Sequence, residues 1–150
     1  MAHNLLSAAG WSSVRLADLA IEVIHSTLQI LPSDQRVSVH ISPSPARVTP
    51  DQANTLALVI NELATNAIKH GQRGGQVPSI SVCIEENDSQ ILFEFRDNGP
   101  GYPEPIFDGE HYNAGLYLVT NLVQRDLKGE VTLRSDHGAV ARIQFGHRRS

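Results

Sequence analysis

Apolar residues recur at intervals of three and four in three stretches of this chain, and at intervals of two in five others. Leu16, Leu19, Ala20, Val23, Ile24, Thr27 and Leu28 predict a first helix, ending near Leu31-Pro32. Arg36 to Ile41 alternates as a half-buried strand does, and the proline-rich run Ser42 to Pro50 reads as a loop with a short strand at Arg47-Val48. Thr49 or Asp51 can cap the next helix, and Pro50 fits its first turn. Leu56, Val59, Ile60, Leu63 and Ala67 give this central helix one apolar face, and Gly71 stops it after His70. Ser79 to Glu86 and Gln90 to Arg96 alternate on either side of Asn87-Asp88-Ser89 and predict a hairpin. Asp97 to Pro105 is too rich in glycine and proline to be regular. Leu116, Leu118, Val119, Leu122, Val123 and Leu127 predict a third helix, closed by Lys128-Gly129. A second hairpin follows, Glu130 to Arg134 and Val140 to Phe145, turning at Asp136-His137-Gly138. This order predicts an α/β (α+β) two-layer sandwich, with three main helices on one face of a mixed, mostly antiparallel sheet of about five strands.

The 150-residue length suits one domain with one core, and 41% hydrophobic with 19% charged residues is the balance of an ordinary globular protein. No apolar run is long enough to span a bilayer, and Met1 is not followed by a secretory pattern. Cys83 is the only cysteine, which rules out an internal disulfide and suits a reducing, cytoplasmic compartment; in its strand it reads as a small core residue. A net charge of -4 gives no footing for general nucleic-acid binding. The seven histidines show no zinc-binding spacing.

Three short motifs carry the chemistry. The central helix has a second stripe, Glu62, Asn66, Lys69 and His70, which lines up a carboxylate, an amide, an ammonium and an imidazole. The first hairpin runs into Asp97-Asn98-Gly99-Pro100-Gly101, a carboxylate at a strand tip beside backbone that a planar ring or phosphate can approach closely. Asn113-Ala114-Gly115-Leu116 opens the third helix with small residues, where exposed N–H groups suit an anion. Each motif in isolation is also ordinary surface, turn or helix-start chemistry.

Together and in this order, N-E-L-x-x-N-A-x-K-H, D-N-G-x-G and G-L-x-L-V resemble the ATP-binding (GHKL, or Bergerat-fold) domain shared by histidine kinases, type II topoisomerases, Hsp90 chaperones and mismatch-repair ATPases. The greatest similarity is to the catalytic domain of bacterial sensor histidine kinases, in the group related to the HWE kinases. The resemblance covers residues 13–146; residues 1–12 look like the junction from a dimerisation helix region, with Trp11 packing there, and 147–150 like a tail. It implies that Asn66 ligates magnesium, that Glu62 is the catalytic acid holding a magnesium-bound water or activating the acceptor, and that Lys69 and His70 contact phosphate. It implies too that Asp97 binds the adenine amino group, that Gly99 and Gly101 shape the pocket, and that Gly115 and Leu116 hold phosphates. The cofactors implied are ATP and magnesium. The partners are a dimerisation domain bearing the phosphoacceptor histidine and a response regulator, with no nucleic acid and no membrane contact.

The chain departs from that pattern in three places. Asn113 stands for the first glycine of the second glycine box, and the segment Tyr102 to Tyr112, with Phe107 its one large anchor, is short for an ATP lid. Gly138-Ala139 stands for Gly-Thr, losing a hydroxyl that helps fix adenine, worth about 1 kcal/mol. Neither His3 nor His25 has an acceptor's flanking pattern, so the chain reads as a fragment without its own substrate. Two other readings stand beside the histidine kinase: an anti-sigma-factor-type serine kinase and a non-catalytic binding module of the same fold.

Overall fold

The computed structural model describes residues 13–31, 36–70, 77–102 and 114–147. The expectations placed on Trp11, Gly71, Asn113, the Phe107 segment and the His70 side chain lie outside the described residues. In chain order the elements are β1 (Val14–Arg15), α1 (Leu16–Leu28), β2 (Ser38–Ile41), β3 (Arg47–Val48), α2 (Pro50–His70), β4 (Ser79–Glu86), β5 (Gln90–Asp97), α3 (Ala114–Asp126), β6 (Glu130–Ser135) and β7 (Ala139–Gly146).

Five strands form one sheet in the order β2-β4-β5-β7-β6, with β2 parallel to β4 and every other pair antiparallel. Both expected hairpins are present; α1 and α2 precede the first, and α3 lies between the two. One face of the sheet is apolar: Ile80, Val82 and Ile84 on β4, Ile91, Phe93 and Phe95 on β5, and Ala141, Ile143 and Phe145 on β7 are buried. Leu16, Ala20 and Ile24 from α1, Leu56, Val59, Ile60 and Leu63 from α2, and Leu116, Val119 and Val123 from α3 complete the same core. Each large side chain buried this way contributes about 1.5–3 kcal/mol. Among the described residues no helix is long and apolar enough to cross a membrane.

Local chemistry sets the element ends. Thr49 caps α2 in a reciprocal box: its hydroxyl accepts from Gln52 N–H at 3.1 Å, and its own N–H donates to Gln52 Oε1 at 3.0 Å. After α3, Lys128 takes φ 53° and Gly129 N–H donates to Val123 O, six residues back, at 3.0 Å, a closure in which lysine, not glycine, occupies the left-handed position.

Four sequence expectations change. Cys83 is not in the core: strand alternation puts Ile80, Val82 and Ile84 inside and turns Cys83 outward, opposite Glu94, where it is exposed. Leu118 is 44% exposed, because the buried stripe of α3 runs through Leu116, Val119, Leu122 and Val123. The strand expected from Arg36 begins at Ser38 and is more open than a half-buried strand, since β2 is an edge with only Ile41 partly covered. Val14–Arg15, where no strand was expected, pairs with Arg47–Val48 as a small separate ribbon.

Candidate functional site

The rotation of α2 follows from its composition. Its apolar face is fully used in the core, and polar ties hold the helix to its neighbours. Buried Gln52 donates through Nε2 to Gly146 O at 3.0 Å at the end of β7, and the Thr27 hydroxyl of α1 meets Asn61 Oδ1 at 2.7 Å. With those sides committed, Glu62 and Asn66 are left half-buried on another face and Lys69 is exposed further along it. The carboxylate, amide and ammonium expected together are therefore on one helix face, one turn apart. The next position of that stripe, His70, ends the helix.

Asp97 is the last residue of β5. Its Oδ1 accepts two backbone N–H groups, from Gly99 at 2.9 Å and from Ala139 at 3.0 Å. One donor comes from the turn that follows and the other from the start of β7. Both act on the same oxygen, and among the described residues no donor is paired with Oδ2. Gly138 closes the arrangement. At φ 139° it lies so near that a Cβ there would stand 1.9 Å from the Asp97 carbonyl oxygen. Only glycine allows that approach.

The neighbouring residues brace this strand tip. Asn98 accepts Ser79 N–H at 2.9 Å and donates to Val77 O at 3.0 Å, sewing the turn to the start of β4. Gly101 takes φ 89°, and the N–H of Tyr102 donates to Ser135 Oγ at 2.9 Å. The Tyr102 phenol is pushed above its ordinary range, first by burial and then by the negative charge of Asp97. Within the turn of the second hairpin, Asp136 lies 3.5 Å from Arg96, 3.4 Å from Arg134 and 3.0 Å from the His137 ring. Its carboxyl is held below the usual range, chiefly by the His137 hydrogen bond. Arg96 also pairs with Glu94 at 2.8 Å, a hydrogen bond that raises the guanidinium further above its already high range.

A crevice of about 10 Å³, lined by Ala67 and Ile68 of α2 and by Ser79, Ile80, Asp97 and Asn98, shows that the Asp97 tip lies against α2 one residue beyond Asn66. Gly115 and Leu116 stand in the first turn of α3, Gly115 half-buried and Leu116 in the core, and that turn carries no acidic side chain. Helix α3 packs against α2. The structure therefore brings Asp97 to the second hairpin and to α2, seats Gly101 against Ser135 of the second hairpin, and sets the start of α3 on a helix adjoining α2. Two wider clefts, of about 560 and 450 Å³, lie between α1 and β2 and include none of the expected site residues.

Sequence reasoning passed over Asn98, Tyr102, Ser135 and Asp136. Asn98 and Tyr102 sit inside or directly after a motif that was recognised, and the side-chain amide of Asn98 was the available signal. Nothing in Arg134-Ser135-Asp136 distinguishes it from ordinary turn residues.

Residues 51–149 match the family described as histidine kinase-, DNA gyrase B-, and HSP90-like ATPase. A blue-light-activated histidine kinase of Rhizobium johnstonii is 29% identical over 148 residues, 96% of this chain and 40% of that protein. Among solved structures, the histidine kinase domain of the Erythrobacter litoralis EL346 blue-light-activated histidine kinase superposes with a TM-score of 0.74 at 20% identity, over 89% of this chain and 62% of that one. The ATP-binding domain of PrrB from Mycobacterium tuberculosis gives a TM-score of 0.68 at 25% identity, over 91% of this chain and 96% of that one. The chain spans less than half the length of the curated relatives it matches.

Proposed function

The chain belongs to the histidine kinase-, DNA gyrase B- and HSP90-like ATPase family, and we propose that it is the ATP-binding catalytic domain of a sensor histidine kinase. In this reading it transfers the γ-phosphoryl group of ATP to a histidine on a separate dimerisation domain, in the cytoplasm, and a response regulator receives the group afterwards. The observation that carries the nucleotide reading is the Asp97 carboxylate. One of its oxygens is fixed by two N–H groups, which leaves the other to accept an exocyclic amine. A fixed acceptor at the start of a glycine-rich turn selects adenine over a base that presents a carbonyl there.

The remaining roles follow the helices. Gly99 and Gly101 let the base lie close to the backbone. Gly115 and Leu116 offer N–H groups at a helix start free of acidic side chains, a favourable place for phosphate. Lys69 adds positive charge at the far end of α2, and Lys69 and His70 offer hydrogen-bond donors there.

Magnesium fits the donor set. Asn66 and Glu62 are neutral and anionic oxygen donors one turn apart, which suits a hard cation. Among the described residues no three His, Cys, Asp or Glu side chains cluster. An ion at Asn66 would thus share its coordination with phosphate and water, as magnesium in nucleotide sites does. Its chemistry there is charge neutralisation on the phosphates. Glu62 orients a water or takes the proton of the attacking imidazole, and Asn66 holds its oxygen toward the phosphates. Positioning and electrostatics of this kind supply most of the catalysis in phosphoryl transfer.

Titration calorimetry of the chain with ATP and magnesium tests the reading, with binding expected in the micromolar to millimolar range. No heat at millimolar nucleotide would sink it and favour a binding module of the same fold. Asn66→Ala is expected to remove the magnesium-dependent gain in ATP affinity, about tenfold or more, while ADP binding without magnesium persists. With a phosphoacceptor domain supplied in trans, labelled ATP should leave acid-labile phosphate on histidine; acid-stable phosphate on serine would support the serine-kinase reading.

A further inference from the structure

We propose that Ser135 is a positioning residue for the nucleobase, acting through the backbone of the Asp97 turn. This rests on the nucleotide reading of the Asp97 site. Ser135 ends β6, far in sequence from the turn, and its Oγ accepts Tyr102 N–H at 2.9 Å. It also packs directly on Gly101, where a Cβ would stand 2.7 Å from Oγ and 3.0 Å from the Ser135 Cβ. Gly101 has φ 89°, so the chain turns sharply at the point where the hydroxyl catches it.

The turn between Asp97 and Tyr102 therefore has two fastenings on one hairpin. At its start, Asp97 Oδ1 accepts Ala139 N–H from β7. At its exit, Ser135 Oγ holds Tyr102 N–H from β6. Ser135 and Ala139 flank the same hairpin turn, whose Asp136 N–H donates to Gly138 O at 2.8 Å and whose Asp136 carboxylate faces Arg96 and Arg134. With both ends held, Gly99 and Gly101 cannot drift relative to the Asp97 carboxylate. With the exit released, a glycine-rich span keeps its start but regains freedom, and a bound base must order it again.

The experiment measures Kd by calorimetry for ATP with magnesium and for ADP without it, in the native chain and in Ser135→Ala and Ser135→Thr, beside thermal midpoints and amide exchange at Tyr102. Ser135→Ala is expected to weaken both nucleotides by about the same factor, roughly fivefold, because the base is common to them. Tyr102 amide exchange should accelerate in that variant. Ser135→Thr, which keeps the hydroxyl and suits a strand end, should restore both affinity and protection. Unchanged affinity in Ser135→Ala, a loss confined to ATP with magnesium, or a loss that threonine does not restore overturns the proposal. If the native chain itself binds neither nucleotide, the nucleotide reading has failed, and the Ser135 role falls with it.

Discussion

Asp97 is held by one N–H group from its own turn, at Gly99, and one from a remote hairpin, at Ala139, whereas Glu62, Asn66 and Lys69 take their places from successive turns of a single helix. The contrast separates two ways of making a site. A stripe on a helix needs only that the helix form and its apolar face find the core, and α2 has a capping box and a buried stripe to secure both. The Asp97 end exists only when two hairpins have docked side by side and the turn of one has closed on the strand tip of the other. It is the more exacting construction, and damage to the fold should register there first.

The hardest test is Gly138→Ala. The added Cβ would meet the Asp97 carbonyl at 1.9 Å, at a backbone angle that alanine rarely takes. Stability should fall by about 3 kcal/mol or more, read from denaturant or thermal unfolding, with nucleotide binding lost together with it. A neutral outcome would mean that the two hairpins do not meet as described.

Next is a pair of substitutions that separates recognition from support. Asp97→Asn keeps an oxygen to accept Gly99 and Ala139 N–H, so unfolding should change by less than about 1 kcal/mol. It replaces the second oxygen with a donor, so ATP affinity should fall by about 30-fold or more while a purine bearing a carbonyl at that position loses little. Asp97→Ala orphans both N–H groups and should cost about 2 kcal/mol of stability as well. Equal ATP affinity in Asp97→Asn and the native chain would break the assignment of Asp97.

A gentler change works in the opposite direction. Ala139→Ser places a hydroxyl beside Asp97 at the position where the resemblance leads one to expect Thr. Calorimetry should then find ATP bound about fivefold more tightly, with ADP improved in parallel. No gain would mean that the adenine end does not use a hydroxyl from this strand.

The smallest effect is a titration. Burial and the charge of Asp97 keep the Tyr102 phenol neutral above the ordinary phenol range. Because its folded pKa is raised, its contribution to stability is intact below about pH 10 and is lost as pH climbs from there toward the folded value. Tyrosinate absorbance should show one late-titrating tyrosine, absent in Tyr102→Phe. Asp97→Asn should move that titration down but not back to the ordinary range, since burial remains. The Asn66→Ala measurement under the proposed function is the counterpart on the helix side, where loss of magnesium-dependent binding should come with little loss of stability.

The same contrast explains what could be read early. The stripe Glu62-Asn66-Lys69 was visible because α-helical spacing alone places those residues together. Asp97 was visible through its motif, which also contains one of its N–H donors, Gly99, but the second donor was not, since Ala139 lies 42 residues away in another hairpin. Cys83 was misjudged because alternation was recognised without settling which parity faced the helices. Leu118 was misjudged because this helix, about half apolar, has more hydrophobic positions than its buried face can take.

By itself the sequence determined the three helices, the two main hairpins, a cap for α2 at Thr49 or Asp51, the stop of α3 at Lys128-Gly129 and the polar stripe of α2. Those depend on periodicity and on contacts a few residues apart, which a linear reading contains. Only the tertiary structure decided the strand order β2-β4-β5-β7-β6, the parallel edge strand, the closure of Gly138 on Asp97 and the tie between Ser135 and Tyr102. Such contacts come from pairing strands whose register is set by side-chain packing between remote segments. Local preference holds no record of which turn will meet which strand tip.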